Sequence, residues 1–492
     1  MPDLFALTKA HDVRGLVPGQ LTPGVSRALG LSFAHVVVRP GGHEQMVLGR
    51  DMRASSPELA EAFAGGVSAG GVDVLDIGEC ATDQLYFASG KYRSPGAMVT
   101  ASHNPASYNG IKLCRSDAVP LALGSGLTEV RDLAQWLLDR GEVHGGALAA
   151  SRPGARRRQD TLPDYAAYLH SLVDLENLRP LRIVVDAGNG MAGLTAPAVL
   201  GAIGSGCEMV GLHLTLDGSF PHHEANPLDP STLVDLQQAV LREGADLGLA
   251  FDGDADRCFV VDERARPVTA SAVTALVAAR EIDKERARGV PATDITIVHN
   301  ATCSRSVPQL VRRLGARPVR TRVGHSYVKE AMAEHDAVFG GEHSGHYYFR
   351  DFWRADTGML AALHVLAALG GSAEPVTMSE LARPFDPYVQ SGEMNFTVAD
   401  VPDVIQRVRQ WAEAADPHVA IDTDDGLGLV SVAGQAGFWS LSLRASNTEP
   451  LLRLNVEAAD AQTMDEIRDH VCSLITAAEA GCPRARSGPQ AG

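Results

Sequence analysis

Short, unbroken apolar runs alternate with Ala/Leu-rich helical stretches, and this pattern constrains the chain more than any other feature. "HVVVRP", "QMVLGRD", "VDVLDIG" and "GAMVTAS" read as strands, and "SPELAEAFAGGVSAGG" reads as a helix between a Pro and a Gly pair. The pattern returns at "LRIVVDAGNGMAG", "ADLGLAFDGDADRCFVVDE" and "ITIVHNATCS". A strand that is apolar at every position is buried on both faces, which predicts α/β units with mostly parallel sheets. Beyond "GGSAEP" (Gly370–Pro375) the period becomes two, in "EMNFTVAD", "GLVSVAGQAGFWSLSLRAS" and "LLRLNVEA". That change predicts an antiparallel sheet with helices, a final α+β block.

The chain has 492 residues, and domains of about 100–200 residues make three or four of them. The expected divisions are 1–152, 153–263, 264–372 and 373–482, with a frayed tail over 483–492. "SRPGARRRQD" (Ser151–Asp160) reads as a linker with a solvated basic face. The Gly370–Glu374 stretch offers a permissive backbone for a hinge before the last block. The net charge of −17 argues against a nucleic-acid partner, so any phosphate must be held by local clusters. No apolar run approaches the ~18 residues of a membrane span, and "MPDLFALTKAHDVRG" lacks the pattern of a signal peptide. Seven cysteines without a CxxC pair read as reduced thiols, which implies a cytoplasmic setting.

Four loops carry chemistry. In "VTASHNPASYNG", Ser102 and His103 follow an apolar strand, where open α/β sheets bind ligands. Asn104-Pro105 can start a turn whose N–H groups face an anion, and Lys112 returns after it. A hydroxyl, an imidazole, turn N–H groups and an ammonium suit the handling of a phosphoryl group. In "FDGDADR", Asp252, Asp254 and Asp256 crowd three carboxylates into five residues, which is costly unless a cation neutralises them. A calcium EF-hand would use the same spacing with Glu263 at the twelfth loop position. However, the sixth position is Arg257 rather than Gly, and the flanks read as strands, so an oxygen-ligand Mg²⁺ loop fits better. "GGEHSGHYYF" places Glu342, His343, Ser344 and His346 on a Gly-rich loop, for polar contacts with a ligand or, less readily, a metal. "RASNTEPLLRL" offers Arg444, Ser446, Asn447 and Thr448 as a phosphate cradle.

In this order, "TASHNP", "DGDADR", "GEHSGH" and "RASNTEP" resemble the signatures of the α-D-phosphohexomutase superfamily, on its phosphomannomutase/phosphoglucomutase side. "HDVRG" and "GRDMRASS" resemble its first-domain motifs, and the likeness covers about residues 5–480. The resemblance implies four domains around a central cleft, three similar α/β domains and one α+β domain. It implies that Ser102 carries the phosphoryl group, with Asp252, Asp254, Asp256 and the phosphoserine holding Mg²⁺. Arg14 and Arg257 would lie near the reacting phosphate, and His103 or Lys112 would transfer a proton. Glu342 and Ser344 would bind sugar hydroxyls, and Arg444, Ser446, Asn447 and Thr448 the other phosphate. Some relatives carry a lysine where "NATCSR" has Thr302; His325 or Lys329 would have to supply that charge. Ala255 stands where many relatives have Gly.

The implied reaction interconverts hexose 6-phosphate and hexose 1-phosphate, of mannose or glucose, with hexose 1,6-bisphosphate as intermediate and activator. The expected partners are small sugar phosphates, for a monomer or weak dimer. Phosphoglucosamine mutase, a phosphatase and a non-catalytic sugar-phosphate binder are the alternative readings.

Overall fold

A computed structural model describes residues 2–480 apart from 145, 204–206, 373, 435–436 and 446–450. The expected tail, 483–492, and the cradle residues Ser446, Asn447 and Thr448 lie outside the described residues. The chain divides into two compact units, one of residues 1–299 and 307–385, the other of 300–306 and 386 onward.

The first unit holds three sheets. The first sheet runs in the order Asp12–Leu16, Tyr108–Cys114, Gly96–Val99, Gln45–Arg50, Asp73–Glu79, Arg156–Arg158. Its last four strands are parallel, and Tyr108–Cys114 is antiparallel to both neighbours. The second sheet runs Pro267–Val268, Cys258–Asp262, Leu247–Phe251, Leu181–Asp186, Cys207–Leu212, with a parallel core of three and an antiparallel edge. The third runs Arg317–Thr321, Thr296–Asn300, Phe339–Gly341, Tyr347–Phe349, Ala355–Asp356. The α/β reading holds, but the sheets are mixed rather than mostly parallel: antiparallel pairs make up half of the second sheet, and in the third Tyr347–Phe349 is antiparallel to both its neighbours. Fully apolar strands such as Leu247–Phe251 are buried at every position.

Two corrections follow. The basic run is not a linker: Arg156–Arg158 is an exposed edge strand, parallel to Asp73–Glu79. Charged side chains at a sheet edge block further pairing. The hinge expectation at Gly370–Glu374 also fails, because the chain beyond it stays in the first unit to Phe385. Met378 is buried in the core shared by the second and third sheets, and the Ser379 N–H and hydroxyl both donate to Glu263. The junction between units is Phe385/Asp386.

The helix Gly358–Gly370 is apolar nearly all round and lies in the core. Its cap, Thr357, accepts from the Leu360 N–H and donates to Asp83 of the helix Thr82–Tyr92. Tyr165 donates to the same Asp83 oxygen, 2.7 Å away. Burial pushes the Asp83 carboxyl up to about 7. Its folded pKa lies above the ordinary 3.8, so this group costs nothing below about pH 4. The cost grows as pH rises towards 7 and is full above it. Asp83→Asn keeps an oxygen for both hydroxyls and removes the charge. It is expected to raise the melting temperature at pH 8, by an amount worth ~1–3 kcal/mol, and to give no gain at pH 4. Melts of equal gain at both pH values would contradict this account.

The second unit is a six-stranded antiparallel sheet, Val389–Gln390, Leu452–Ala458, Gly437–Ala445, Leu427–Gly434, Ala420–Asp422, with Met394–Phe396 also on Leu452–Ala458. The helices Val401–Ala415 and Ala461–Ala480 belong to the same unit, and Trp411 stacks on Trp439. The α+β reading of this block holds. Residues 300–306 join it through buried Glu457, which accepts from the Arg305 N–H at 2.8 Å and the Ser440 hydroxyl at 2.9 Å.

Candidate active site

Ser102 stands three residues past the strand Gly96–Val99, with φ at +49°. A non-glycine residue is uncommon there, and such strain is tolerated where surrounding bonds fix the backbone. The fixing group is Arg53, 1% exposed. Its guanidinium donates to the carbonyls of Ser102 (2.8 Å), Asn104 (2.7 Å), Pro105 (2.8 Å) and Tyr108 (3.0 Å). Its Nε donates to buried Asp51 at 3.1 Å. Burial raises the Asp51 carboxyl, against the pull of the Arg53 charge and the Ser56 hydroxyl. Asp51 and Arg53 were missed as site residues. Both lie in "GRDMRASS", but their partners are largely local groups and backbone carbonyls, which leave no mark in a sequence.

The turn Asp252–Asp256 joins the antiparallel strands Leu247–Phe251 and Cys258–Asp262. Those strand flanks overturn the EF-hand alternative, and Glu263 is engaged elsewhere, by Ser379. A Cβ on Gly253 would meet the Ser102 carbonyl at 2.5 Å, so only glycine lets the two loops approach this closely. Ala255 adopts φ +60°, the left-handed region that favours the glycine of relatives.

This approach brings the sequence-predicted groups together. Ser102 Oγ donates to Asp252 Oδ2 at 2.8 Å and lies 3.2 Å from His103 Nδ1. Lys112 Nζ bridges Asp254 Oδ2 (2.7 Å) and Asp256 Oδ2 (2.6 Å), and Thr82 also donates to Asp254. Arg257 donates to His103 Nδ1 (2.8 Å) and His346 Nε2 (3.0 Å), and its Nε lies 3.5 Å from Asp252. His346 Nδ1 in turn reaches Asp356 at 2.9 Å. Arg14 pairs with Asp12 and Asn104.

The electrostatics match a cation site. Burial, with Asp256 and Asp254 adding repulsion, pushes the Asp252 carboxyl up to about 7. Burial acts on Asp254 in the same direction, but Lys112 outweighs it and holds that carboxyl below its ordinary value. Burial lowers Lys112, but Asp254 and Asp256 outweigh it and raise it. Burial, with Arg257 and Arg14, lowers His103, so its ring is neutral. Asp254 Oδ1 and Asp256 Oδ1 are buried and accept no hydrogen bond. Three oxygen donors with two lone-pair faces unused fit a hard dication.

The third sheet supplies the remaining candidates. Glu342 is buried and accepts from the Tyr348 hydroxyl (2.5 Å) and the Gly324 N–H (3.1 Å). Ser344 lies on the same turn, half-buried. His325 begins the helix His325–Glu334, its ring 4.5 Å from that of His11. Burial, followed by His11 and Lys329, lowers His325. Lys329 is buried over the Tyr86 ring, its Nζ 2.7 Å from Asp356 Oδ1. Its charge is therefore matched by a carboxylate and His325 is neutral, so neither supplies a spare cation for the lysine missing at Thr302. Thr302 donates to Asn300 at 3.1 Å within the second unit. There also, Arg444 is buried at the end of Gly437–Ala445, 3.9 Å from Glu393. The sequence marks neither His11, Tyr348 nor Asp356, and His346, read as a loop contact to a ligand or a metal, instead braces Arg257 and Asp356.

Residues 6–125, 163–265 and 271–388 match the alpha/beta/alpha domains I, II and III of phosphoglucomutase/phosphomannomutase, and 393–474 match its C-terminal domain. Phosphomannomutase of Escherichia coli K12 is 35% identical over 466 residues, covering 94% of this chain and 96% of its own. "Phosphohexose mutases" of Xanthomonas campestris is 36% identical over 472 residues, covering 95% of this chain and 98% of its own. A crystal structure of a phosphoglucomutase/phosphomannomutase family protein from Burkholderia thailandensis has a TM-score of 0.80 at 30% identity, covering 98% of this chain and 99% of its own. With four domain matches in order, and relatives alike over nearly their whole length, the chain belongs to the phosphoglucomutase/phosphomannomutase family.

Proposed function

We propose that the chain is a phosphohexomutase that interconverts hexose 6-phosphate and hexose 1-phosphate, of mannose or glucose, through a phosphoserine at Ser102. The observation that carries this reading is the Ser102 hydroxyl, bonded at 2.8 Å into a buried triad of carboxylates and 3.2 Å from His103. Phosphate monoesters hydrolyse very slowly unaided, so a seryl ester can store the group between turnovers. In the forward step the P–Oγ bond to Ser102 breaks and a P–O bond to a sugar hydroxyl forms. The hydroxyl proton passes to His103, whose ring is neutral; Lys112, held as an ammonium by Asp254 and Asp256, has no lone pair to take it and adds positive charge instead. The bisphosphate then turns end for end, and its other phosphoryl group returns to Ser102 as that sugar oxygen regains a proton.

Asp252, Asp254 and Asp256, with a phosphoserine oxygen, would hold Mg²⁺. Bound there, the ion neutralises charge on the phosphoryl oxygens. Arg257, fixed by His103 and His346, and Arg14 add positive charge beside Ser102. Glu342 and Ser344 orient the sugar, His325 and Lys329 lie on its side of the site, and Arg444, Ser446, Asn447 and Thr448 grip the phosphate that is not transferred. Hexose 1,6-bisphosphate is the activator, because it can phosphorylate an empty Ser102.

The same reading gives four domains, the first extended past 152 to include the strand Arg156–Arg158 and the last beginning at Asp386 rather than 373. No helix among the described residues is long and apolar enough to cross a membrane. We place the protein in the cytoplasm as a monomer or weak dimer, in keeping with its free cysteines among the described residues.

The deciding experiment is a coupled assay with mannose 1-phosphate, glucose 1-phosphate and glucosamine 1-phosphate, each with catalytic bisphosphate and Mg²⁺. Turnover of the first two above the third is expected. Inactivity on all three, with a folded and phosphorylatable protein, would overturn the reading. Asp254→Asn is expected to weaken Mg²⁺ activation by at least ~10-fold, since loss of even an outer partner of a metal ligand costs ~10–100-fold. Its circular dichroism should be unchanged. An unaltered Mg²⁺ dependence of rate would remove Asp254 from the metal site.

A further inference from the structure

We propose that Asp186, His213 and His223 form a second metal site, for a borderline divalent cation of the zinc class, separate from the carboxylate triad. Asp186 ends the strand Leu181–Asp186, and its parallel register partner is Leu212, the last residue of Cys207–Leu212. His213 follows immediately, so both residues stand at the carboxyl edge of the second sheet. His223 reaches the same edge from the chain that follows. One ligand atom of each lies within 4.8 Å of the other two. Two imidazoles and one carboxylate are a common zinc donor set, with a fourth position left for water. Mg²⁺ prefers an all-oxygen set such as the triad.

The surrounding bonds support this assignment. His223 Nδ1 lies 2.9 Å from the Glu224 carbonyl, which can only accept, so Nδ1 carries the hydrogen. Nε2 is then turned to Asp186 Oδ2 at 3.1 Å. The bond to Asp186 raises the His223 ring above its ordinary value, so a proton can join the two, and a divalent cation would take that proton's place between them. An Nδ1–H held by a carbonyl is the usual outer support of a metal-binding histidine. The other Asp186 oxygen accepts from the Gly188 N–H at 2.9 Å. His213 has Nε2 3.1 Å from Asp235, and its ring stacks on His222 at 3.9 Å. His222 is itself fixed by Asn189 at 2.8 Å. The side chains of His213 and His223 are 14% and 15% exposed, which gives an ion a way in.

The site backs onto the catalytic loop. The Met191 N–H donates to the Gly253 carbonyl at 2.9 Å, and a Cβ at Gly253 would lie 3.5 Å from Ala225. A bound ion would tie the 213–225 segment to the strand end that supports Gly253. The assignment does not depend on the mutase reading.

The test uses the full chain, stripped by chelator and titrated with Zn²⁺ in excess Mg²⁺, so that the triad is occupied. One Zn²⁺ per chain is expected, at micromolar affinity. His213→Ala and His223→Ala should each weaken it by roughly 100-fold or more, beyond the ~10–100-fold carried by outer-shell partners. X-ray absorption of the Zn²⁺-loaded wild-type protein should show imidazole scattering with Zn–N near 2.0–2.1 Å, a readout that needs no variant. Binding only at millimolar Zn²⁺ or the absence of imidazole scattering would overturn the proposal. So would a folded double variant that binds as tightly as wild type, leaving His223 and Asp186 as a plain ion pair.

Discussion

Ser102→Ala is expected to lower the mutase rate by roughly 10⁴- to 10⁶-fold, the scale on which an enzyme loses activity with its nucleophile. The protein should stay folded, because the hydroxyl contributes one bond to Asp252 while Arg53 holds the loop through backbone carbonyls. Intact mass of wild-type protein treated with hexose 1,6-bisphosphate should show a phosphate-sized addition, and the variant should show none. Labelled phosphate found on another residue, or a variant with near-normal rate, would sink the assignment.

Arg53→Met should be nearly as damaging by another route. The change strands Asp51, 1% exposed, and removes the donors to four carbonyls of the Ser102 loop. Breaking a buried ion pair by removing one partner costs about 3–5 kcal/mol. A thermal or urea melt should show a loss of that size, and activity should fall even where the variant is folded, because Ser102 is no longer held against Gly253. Arg53→Lys keeps the charge but not the planar fork of donors, so it should fall between. A melt and a rate within error of wild type for Arg53→Met would show that the loop is fixed by something else.

The chemistry of this chain was more legible in its sequence than its architecture. Crowded carboxylates at Asp252, Asp254 and Asp256 advertise a cation because their repulsion has few other remedies. The strand Leu247–Phe251 advertises itself because a doubly buried strand must be apolar throughout. Arg156–Arg158 gives the opposite signal: an exposed edge strand has no buried face, so its composition is that of a linker. The pairing of Asp12–Leu16 with Tyr108–Cys114, about a hundred residues on, is set by backbone hydrogen bonds that no local pattern encodes. Arg53 was hidden for the same reason. Ser446, Asn447 and Thr448 stay a reading from sequence.

The excursion of residues 300–306 into the second unit has a consequence for how the chain is made. The C-terminal unit is discontinuous: its buried Glu457 accepts from the Arg305 N–H, a residue synthesised some 150 positions earlier. That segment leaves the ribosome before the strand Leu452–Ala458 does, so this bond closes only once that strand has emerged. A fragment cut at Asp386 would carry a buried carboxylate stripped of a donor.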